Sequence, residues 1–470
     1  MALLAILLLA LLLRLGFGFR APPFVTNDSL SYLLPGFDLL NGGTFSPILK
    51  RPPFYSLFIS SVFGLFGEDL RLLMLVQHLL GVGTVALAFG IGRVLFGTVP
   101  GLLAALLTAL SGPVIITEHY LMSEALFTFL LASGLLAYFG GIRSRSIGLL
   151  ALAGALLGVA ALTRPIAQLV LVILLLGLVF VLPRWRPAVT GMVAMLALFA
   201  VIVLPWMARN ATVQGTFAIA GGTGEGLAVR TIRYEQRFDF REQPGGDADR
   251  QLSQARRIYR GEAEDGSAFE LARKLREELN VSEIEAERLM RTIAVQAIMR
   301  QPGYYLTGTA DMLVQTFAGR TVRLRQDWLP WRNIAWDERV QHLLPAESAV
   351  EQRGFAAAER LATLYDPARY AWLLAVLGLA GILTGLRQDR RPVLILGGLV
   401  VVLLIAGAAL IGVEWRYRFP LDPLINVLAA GGLVTVAQAA LGRWRRARIG
   451  NSTTARGTSG AVSSPARTTG

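Results

Sequence analysis

The residues able to do chemistry fall in four short groups, each at the end of a long apolar run: Asn27-Asp28, Glu118-His119 with Glu124, Arg164-Pro165, and Arg416-Tyr417-Arg418. Ionisable groups at a membrane edge are costly to keep, so several gathered on one side point to a functional site. Asp28 follows the first run within a few residues. At the rim of an apolar cavity a carboxylate is partly desolvated, which strengthens its hold on a proton and suits a general base acting on a hydroxyl. Helix capping accounts for the same residue equally well, because Asp accepts hydrogen bonds from the first free N–H groups and Leu30 to Leu34 could start a helix.

Glu118, His119 and Glu124 flank a junction between two runs, in Glu118-His119-Tyr120-Leu121-Met122-Ser123-Glu124. Glu124 opens a helix, where the positive dipole end favours a carboxylate, so capping competes with a role as second acid. The carboxylates and the histidine could also ligate a divalent cation, Mg or Mn, through Asp28, Glu124 and His119, although no tight ligand spacing selects that reading. No other cofactor is implied. Arg164, in Thr163-Arg164-Pro165, ends a run and could simply snorkel. Arg416 and Arg418 lie on a short link between runs, against the usual charge bias of that side, so an anion is expected to hold them. Arginine's planar donor fork suits a phosphate.

The elements that must position these residues follow from composition. Of 470 residues, 54% are hydrophobic and 16% charged, and the mean hydropathy is +0.54. About 20 helical residues cross a bilayer core, and runs of that order recur near 2–19, 71–96, 99–117, 123–140, 146–163, 166–183, 188–207, 369–386, 392–412 and 423–441. The expected fold is an all-α polytopic membrane bundle of about ten spans. Residues 54–66 are apolar but short and read as an interfacial helix. Breakers at Pro22-Pro23, Asn41-Gly42-Gly43 and Arg51-Pro52-Pro53 make 20–52 read as irregular.

Arg93, Arg143/Arg145, Arg184/Arg186, Arg387/Arg390/Arg391 and Arg443 to Arg448 then all fall opposite the chemical groups. The positive-inside bias makes that side cytoplasmic and the chemical side exterior, at the plasma (inner) membrane. The formal charge of +13 is thus topology, and nucleic acid is not an expected partner. With no cysteine, disulfides, thiolate ligands and a cysteine nucleophile are excluded.

The expected domains are a catalytic membrane module over 1–207 with an exterior loop at 20–70, an exterior, mainly helical domain over 208–368, the last three spans over 369–442, and a basic, disordered cytoplasmic tail over 443–470. In the exterior domain, Ser282-x-x-Glu285 reads as a capping box for a helix placing Ile284, Leu289, Ile293 and Ala297 near one face. The run Gly221-Gly222-Thr223-Gly224-Glu225-Gly226 lacks the Lys-Ser/Thr of a P-loop and is not expected to bind nucleotide. Gln77 and His78, deep in a span, read as helix–helix hydrogen-bonding residues.

A base, a second acid and phosphate-binding arginines at one rim describe attack of an acceptor hydroxyl on the anomeric carbon of a sugar carried by a polyprenyl phosphate. At this point the chain resembles the GT-C glycosyltransferases, nearest the group of protein O-mannosyltransferases and the aminoarabinose transferase of lipid A. The resemblance rests on the order of Asn27-Asp28-Ser29-x-Ser31-Tyr32, Lys50-Arg51-Pro52-Pro53-Phe54, Met122-Ser123-Glu124, Thr163-Arg164-Pro165, Pro205-Trp206 with Arg209-Asn210, and Arg416-Tyr417-Arg418-x-Pro420. It implies inverting transfer from a polyprenyl-phosphate sugar to a lipid, glycan or protein acceptor. Asp28 would be the base, and Lys50, Arg51, Arg164, Arg416 and Arg418 would surround phosphate. Tyr32 and Tyr417, with Glu118, His119 and Glu124, would complete the substrate site. At Asn27-Asp28-Ser29 the chain has a lone Asp where many relatives carry an Asp-Glu pair. The rival readings are a transporter or flippase of a lipid-linked or sugar substrate, whose charges belong near the bilayer midplane, and a non-catalytic envelope scaffold.

Overall fold

The computed structural model describes residues 1–232, 238–241, 250–265, 268, 270–318, 337–343, 360, 366–387, 391–410, 412 and 418–457. Among these residues the regular structure is helical, with one isolated parallel bridge between Phe24 and Tyr120. The amino-terminal half holds α1 (Ala2–Gly18), α2 (Asn27–Leu40), α3 (Phe54–Phe66), α4 (Leu70–Leu95), α5 (Thr98–Leu110), α6 (Gly112–Thr117), α7 (Glu124–Ser144), α8 (Ile147–Ala161), α9 (Ala167–Val181) and α10 (Trp185–Gln214). A set of more polar helices follows: α11 (Thr223–Ile232), α12 (Arg250–Asp265), α13 (Leu271–Leu279), α14 (Glu283–Arg300) and α15 (Pro302–Ala318). The chain ends with α16 (Ala371–Arg387), α17 (Arg391–Leu410) and α18 (Asp422–Gly457).

Among the described residues, five helical stretches are long and apolar enough to cross a membrane: α4, α7, α10, α17 and Phe419–Gly442, which runs into α18. The other five expected spans appear as the shorter apolar helices α1, α5, α8, α9 and α16. The run at 99–117 is not one rod. It ends at Leu110 and resumes at Gly112, because Pro113 supplies no N–H to continue the ladder. Conversely, α10 passes through Pro205 and on to Gln214. The last helix also continues past 442 to Gly457, into the segment expected to be disordered; its Arg-Ala-rich stretch has good helix formers.

Packing follows the apolar faces. Helix α4 lies against α1, α5 and α7; α8 lies between α7 and α10; α16 and α17 pack on α18. Small residues allow backbone contact at the tightest crossings. A Cβ at Gly154 would lie 2.1 Å from the Met195 carbonyl oxygen, and one at Gly432 would lie 1.8 Å from that of Leu377. The main core runs from Val25 to Ala430 and joins both halves of the bundle. A second core, from Leu227 to Ala297, belongs to α11–α14. In it Leu289, Ile293 and Ala297 are buried and Ser282 Oγ accepts from the Glu285 amide at 3.2 Å, as the sequence leads one to expect; Ile284 is only half-buried.

The expected irregular segment, 20–52, contains α2. Ser29 Oγ accepts from the Thr26 amide at 2.9 Å, closing a capping box at Thr26. That cap supplies the start that Pro22-Pro23 obscured.

Candidate active site

The N-cap of α2 is Thr26, not Asp28. Asp28 stands in the first turn of α2, after the cap residue, so its carboxylate is not consumed in capping. It meets Arg51 instead, with Nη2 2.6 Å from Oδ1. Arg51 is held on its other edges: Nε donates to Ser31 Oγ at 2.9 Å, Nη1 donates to the Tyr32 hydroxyl at 3.1 Å, and the guanidinium sits 4.7 Å over the Tyr32 ring. One turn of α2 thus carries the carboxylate and both groups that orient its partner. The Tyr32 hydroxyl is also 3.3 Å from Ser123 Oγ, beside Glu124.

Glu124, the first residue of α7, is buried and pairs with Arg164 at 2.6 Å. The Arg164 turn is itself anchored, since the Leu162 carbonyl accepts from the Phe54 amide at 2.9 Å, just past Lys50-Arg51-Pro52-Pro53. Lys50 pairs with Glu225 at 3.0 Å, and Arg418 pairs with Asp422 at 3.1 Å while donating to the Phe317 carbonyl at 3.0 Å. Each described cation of the expected phosphate set therefore carries its own carboxylate. Their exposures differ: 32% for Lys50, 14% for Arg51, 16% for Arg164 and 5% for Arg418. Arg418 ties the end of α15 to the start of α18. Arg416 and Tyr417 lie outside the described residues.

The expected groups share one end of the bundle. Phe24 and Tyr120 bridge the segments before Asp28 and Glu124, and Phe419 packs in one apolar cluster with Phe17, Phe24, Ile116, Tyr120 and Met122. Of the arginines expected opposite, Arg143, at the far end of α7 from Glu124, donates to the Val94 carbonyl at 3.0 Å near the end of α4, while Arg390 and the side chains of Arg443 to Arg448 lie outside the described residues. Arg391 donates to the Phe180 carbonyl at 3.1 Å.

Glu118 and His119 are placed differently from the substrate or metal role expected of them. Both are buried. Glu118 accepts from Arg14 Nε and Nη2, each at 2.8 Å, and lies 3.0 Å from His78 Nδ1. His119 uses both ring nitrogens, on His78 Nε2 at 3.0 Å and on the Ala21 carbonyl at 3.1 Å. Among the described residues no three His, Asp or Glu side chains gather as a metal-binding group, and Asp28, Glu124 and His119 are not such a trio. A void of about 10 Å³ beside Glu118, lined by Gly81, Thr84, Thr117, Thr128 and Phe419, is too small for a sugar.

Sequence reasoning missed Arg14, whose signal was a charge inside an apolar run. It gave no role to Ser31, Ser123 or Glu225, although each stands in a motif it singled out, and it missed Glu287, which carries no local pattern. The glycine run is a carboxylate nest: the amides of Gly222, Gly224 and Glu225 donate to Glu287 at 3.1, 2.8 and 3.3 Å. Burial pushes the Glu287 carboxyl up from its ordinary range, against the pull of those amides. The Gly221 amide also donates to the Leu49 carbonyl at 2.9 Å, so the nest anchors the Lys50-Arg51 loop. Trp206 and Asn210 tie the end of α10 to the Ile219 carbonyl at 2.9 and 3.3 Å.

Residues 50–208 match the family of dolichyl-phosphate-mannose-protein mannosyltransferases. That range contains Lys50, Arg51, Glu124 and Arg164 but not Asp28 or Arg418. No curated protein sequence matches the chain. Among solved structures, the Archaeoglobus fulgidus oligosaccharyltransferase in complex with Zn and sulfate aligns with TM-score 0.52 and 13% identity, over 96% of this chain and 51% of that one. The same organism's oligosaccharyltransferase AglB, with an inhibitory peptide and a dolichol-phosphate, gives 0.51 and 14%, over 99% and 52%. ArnT from Cupriavidus metallidurans, bound to undecaprenyl phosphate, gives 0.39 and 14%, over 94% and 78%. The chain spans about half the length of the oligosaccharyltransferase it matches. The chain has the GT-C membrane fold that its ordered motifs led one to expect, with the mannosyltransferase family pattern over 50–208.

Proposed function

We propose that the chain is an inverting glycosyltransferase that moves a sugar from a polyprenyl phosphate to a hydroxyl of a lipid, glycan or protein at the exterior face of the plasma membrane. The observation that carries this reading is the chain of contacts Asp28–Arg51–Tyr32–Ser123, ending beside the Glu124–Arg164 pair at one end of a GT-C fold. Asp28 is the base, being the partly exposed carboxylate of the two, with 29% of its side chain accessible against 2% for Glu124. As the acceptor oxygen bonds to the anomeric carbon, its proton passes to Asp28 and the bond to the phosphate oxygen breaks. Lys50, Arg51 and Arg164 are the cations able to receive the charge that grows on that oxygen. Arg418, nearly buried and already bonded, keeps the helices in place. The segment 208–368, whose described part holds α11–α15, is the exterior domain, and through its glycine nest it sets the Lys50-Arg51 loop.

The test compares Asp28→Asn with wild type, using purified protein and a radiolabelled polyprenyl-phosphate sugar pool. Loss of a positioned general base costs roughly 10²–10⁴ in rate, and binding of polyprenyl phosphate should persist. Unchanged transfer removes the base assignment. Movement of labelled lipid across a vesicle bilayer without any transfer favours a flippase.

A further inference from the structure

Outside the Asp28–Arg51 and Glu124–Arg164 pairs lies a second polar cluster, built of Arg14, Glu118, His78 and His119. All four are buried. A buried ion pair is a poor source of stability, since apolar residues of equal volume commonly do as well or better. Its geometry therefore calls for another use.

The contacts run in one line. Arg14 of α1 grips both Glu118 oxygens, Glu118 meets His78 of α4, His78 meets His119, and His119 reaches the Ala21 carbonyl. Phe17 and Phe24 wall the His119 ring at 5.0 and 4.8 Å between centroids. The line ends at Ala21 in the segment 20–26, which leads into Asp28, and Glu118 and His119 within it belong to 118–123, which leads into Glu124. Further bonds stitch the same segments together. The Phe24 amide donates to the His119 carbonyl at 3.1 Å, the Leu121 amide donates to the Phe24 carbonyl at 2.9 Å, and the Thr26 hydroxyl donates to Met122 Sδ at 3.4 Å.

Gln77, next to His78, holds the other side. Its amide donates to the Glu118 and Tyr120 carbonyls at 2.9 and 2.8 Å, and its oxygen accepts from the Tyr55 hydroxyl at 2.7 Å. The Tyr55 ring then meets Tyr32 edge-on at 5.1 Å, and Tyr32 holds Arg51. Helix α4 leaves room for all of this through Gly81, where a Cβ would lie 2.0 Å from Glu118 Oε1.

We propose that Arg14, Glu118, His78 and His119 form a positioning brace that fixes the Asp28 segment against the Glu124 segment in the register that transfer requires. The residues touch no substrate. They act through the backbone of 20–26 and 118–123, and a displacement of about 1 Å at a reacting group can cost on the order of 10²-fold in rate. The kinetic arm of the test rests on the transferase reading; the exchange arm does not.

The test uses Arg14→Met/Glu118→Met, which removes both charges together and keeps an apolar filling, beside Asp28→Asn. The probes are polyprenyl phosphate for binding and labelled polyprenyl-phosphate mannose for turnover. In the double variant, thermal stability in detergent and polyprenyl phosphate binding should stay near wild type. Amide exchange in 20–26 and 118–123 should accelerate at least about ten-fold, and kcat should fall roughly 10- to 100-fold at constant KM. A merely structural ion pair predicts the opposite: exchange in both segments and kcat return to wild type once both charges are gone, and that result overturns the proposal. Should the double variant not fold, His119→Gln, which keeps a donor for the Ala21 carbonyl but loses the His78 contact, is read by the same exchange criterion. Wild-type turnover in Asp28→Asn sinks the transferase reading alone, and the exchange arm still decides the brace.

Discussion

Gly81→Ala should be among the most damaging single-methyl additions in α4. The added Cβ would stand 2.0 Å from Glu118 Oε1, 2.1 Å from its Cδ and 2.4 Å from Oε2. An exposed side chain would rotate away, but Glu118 is pinned from the opposite side by two 2.8 Å bonds to Arg14 and by His78 at 3.0 Å. Relief therefore means breaking the ion pair. Uncoupling a buried charge from its partner costs about 3–5 kcal/mol, and the helix-propensity gain of Ala over Gly returns about 1 kcal/mol. The net loss worked from these is about 2–4 kcal/mol. Gly398→Ala is the matched control: it is also mid-helix, nothing lies within 4 Å of its built Cβ, and only the propensity gain applies. Thermal unfolding of both variants in one detergent, followed by tryptophan fluorescence, separates them. A Gly81→Ala midpoint equal to that of Gly398→Ala would refute the reasoning, because Glu118 would then be free to move.

Further outcomes follow from the same geometry. Arg164→Leu leaves Glu124 buried and unpaired, so it should lose about 3–5 kcal/mol, and adding Glu124→Gln should restore much of that in the same unfolding assay. Burial first, and the neighbouring His78 second, hold the His119 pKa well below the ordinary 6.5. The unfolded chain takes up that proton near pH 6.5 while the folded chain does not, so the stabilising contribution is whole above that pH and is lost as pH falls. Melting midpoints between pH 7 and pH 5 should decline, with a shallower slope in His119→Gln. Thr26→Ala removes one side of the α2 capping box and should cost about 1 kcal/mol, seen as faster amide exchange in the first turn of α2.

The membrane helices were legible because their signal is additive: some twenty apolar residues outweigh any local irregularity. The placing of Arg143 and Glu124 at opposite ends of one helix was legible too. Helix α2 was obscured because its breakers, Pro22-Pro23 and Asn41-Gly42-Gly43, flank it and Pro35 sits within it, while the Thr26–Ser29 cap that starts it is a short polar pattern. The Ser282 cap was easier to see because a long amphipathic helix followed it. The pairing of Glu118 was hidden for a different reason. Its partner Arg14 lies 104 positions away, and nothing local distinguishes a carboxylate held by a distant arginine from one facing a substrate. His78, whose depth in a span suggests helix–helix bonding, instead meets Glu118 and His119 on the link between α6 and α7.

The pairing of every described phosphate-site cation with a carboxylate constrains how an anionic donor could be received. Arg51 spends all three guanidinium nitrogens on Asp28, Ser31 and Tyr32, so a phosphate can reach it only by sharing an edge or by displacing one of them. Displacing Asp28 would set the proposed base free as the donor docks, coupling donor arrival to the availability of the carboxylate. Lys50 is the most exposed cation and its partner Glu225 sits on the glycine run that also binds Glu287, so the first exchange should occur there. On this argument Glu225→Gln frees Lys50 and should tighten polyprenyl phosphate binding, whereas Asp28→Asn should tighten it through Arg51 while abolishing transfer. Titration of both variants with polyprenyl phosphate checks the scheme. Weaker binding in both would mean that the carboxylates orient these cations for phosphate and do not compete with it.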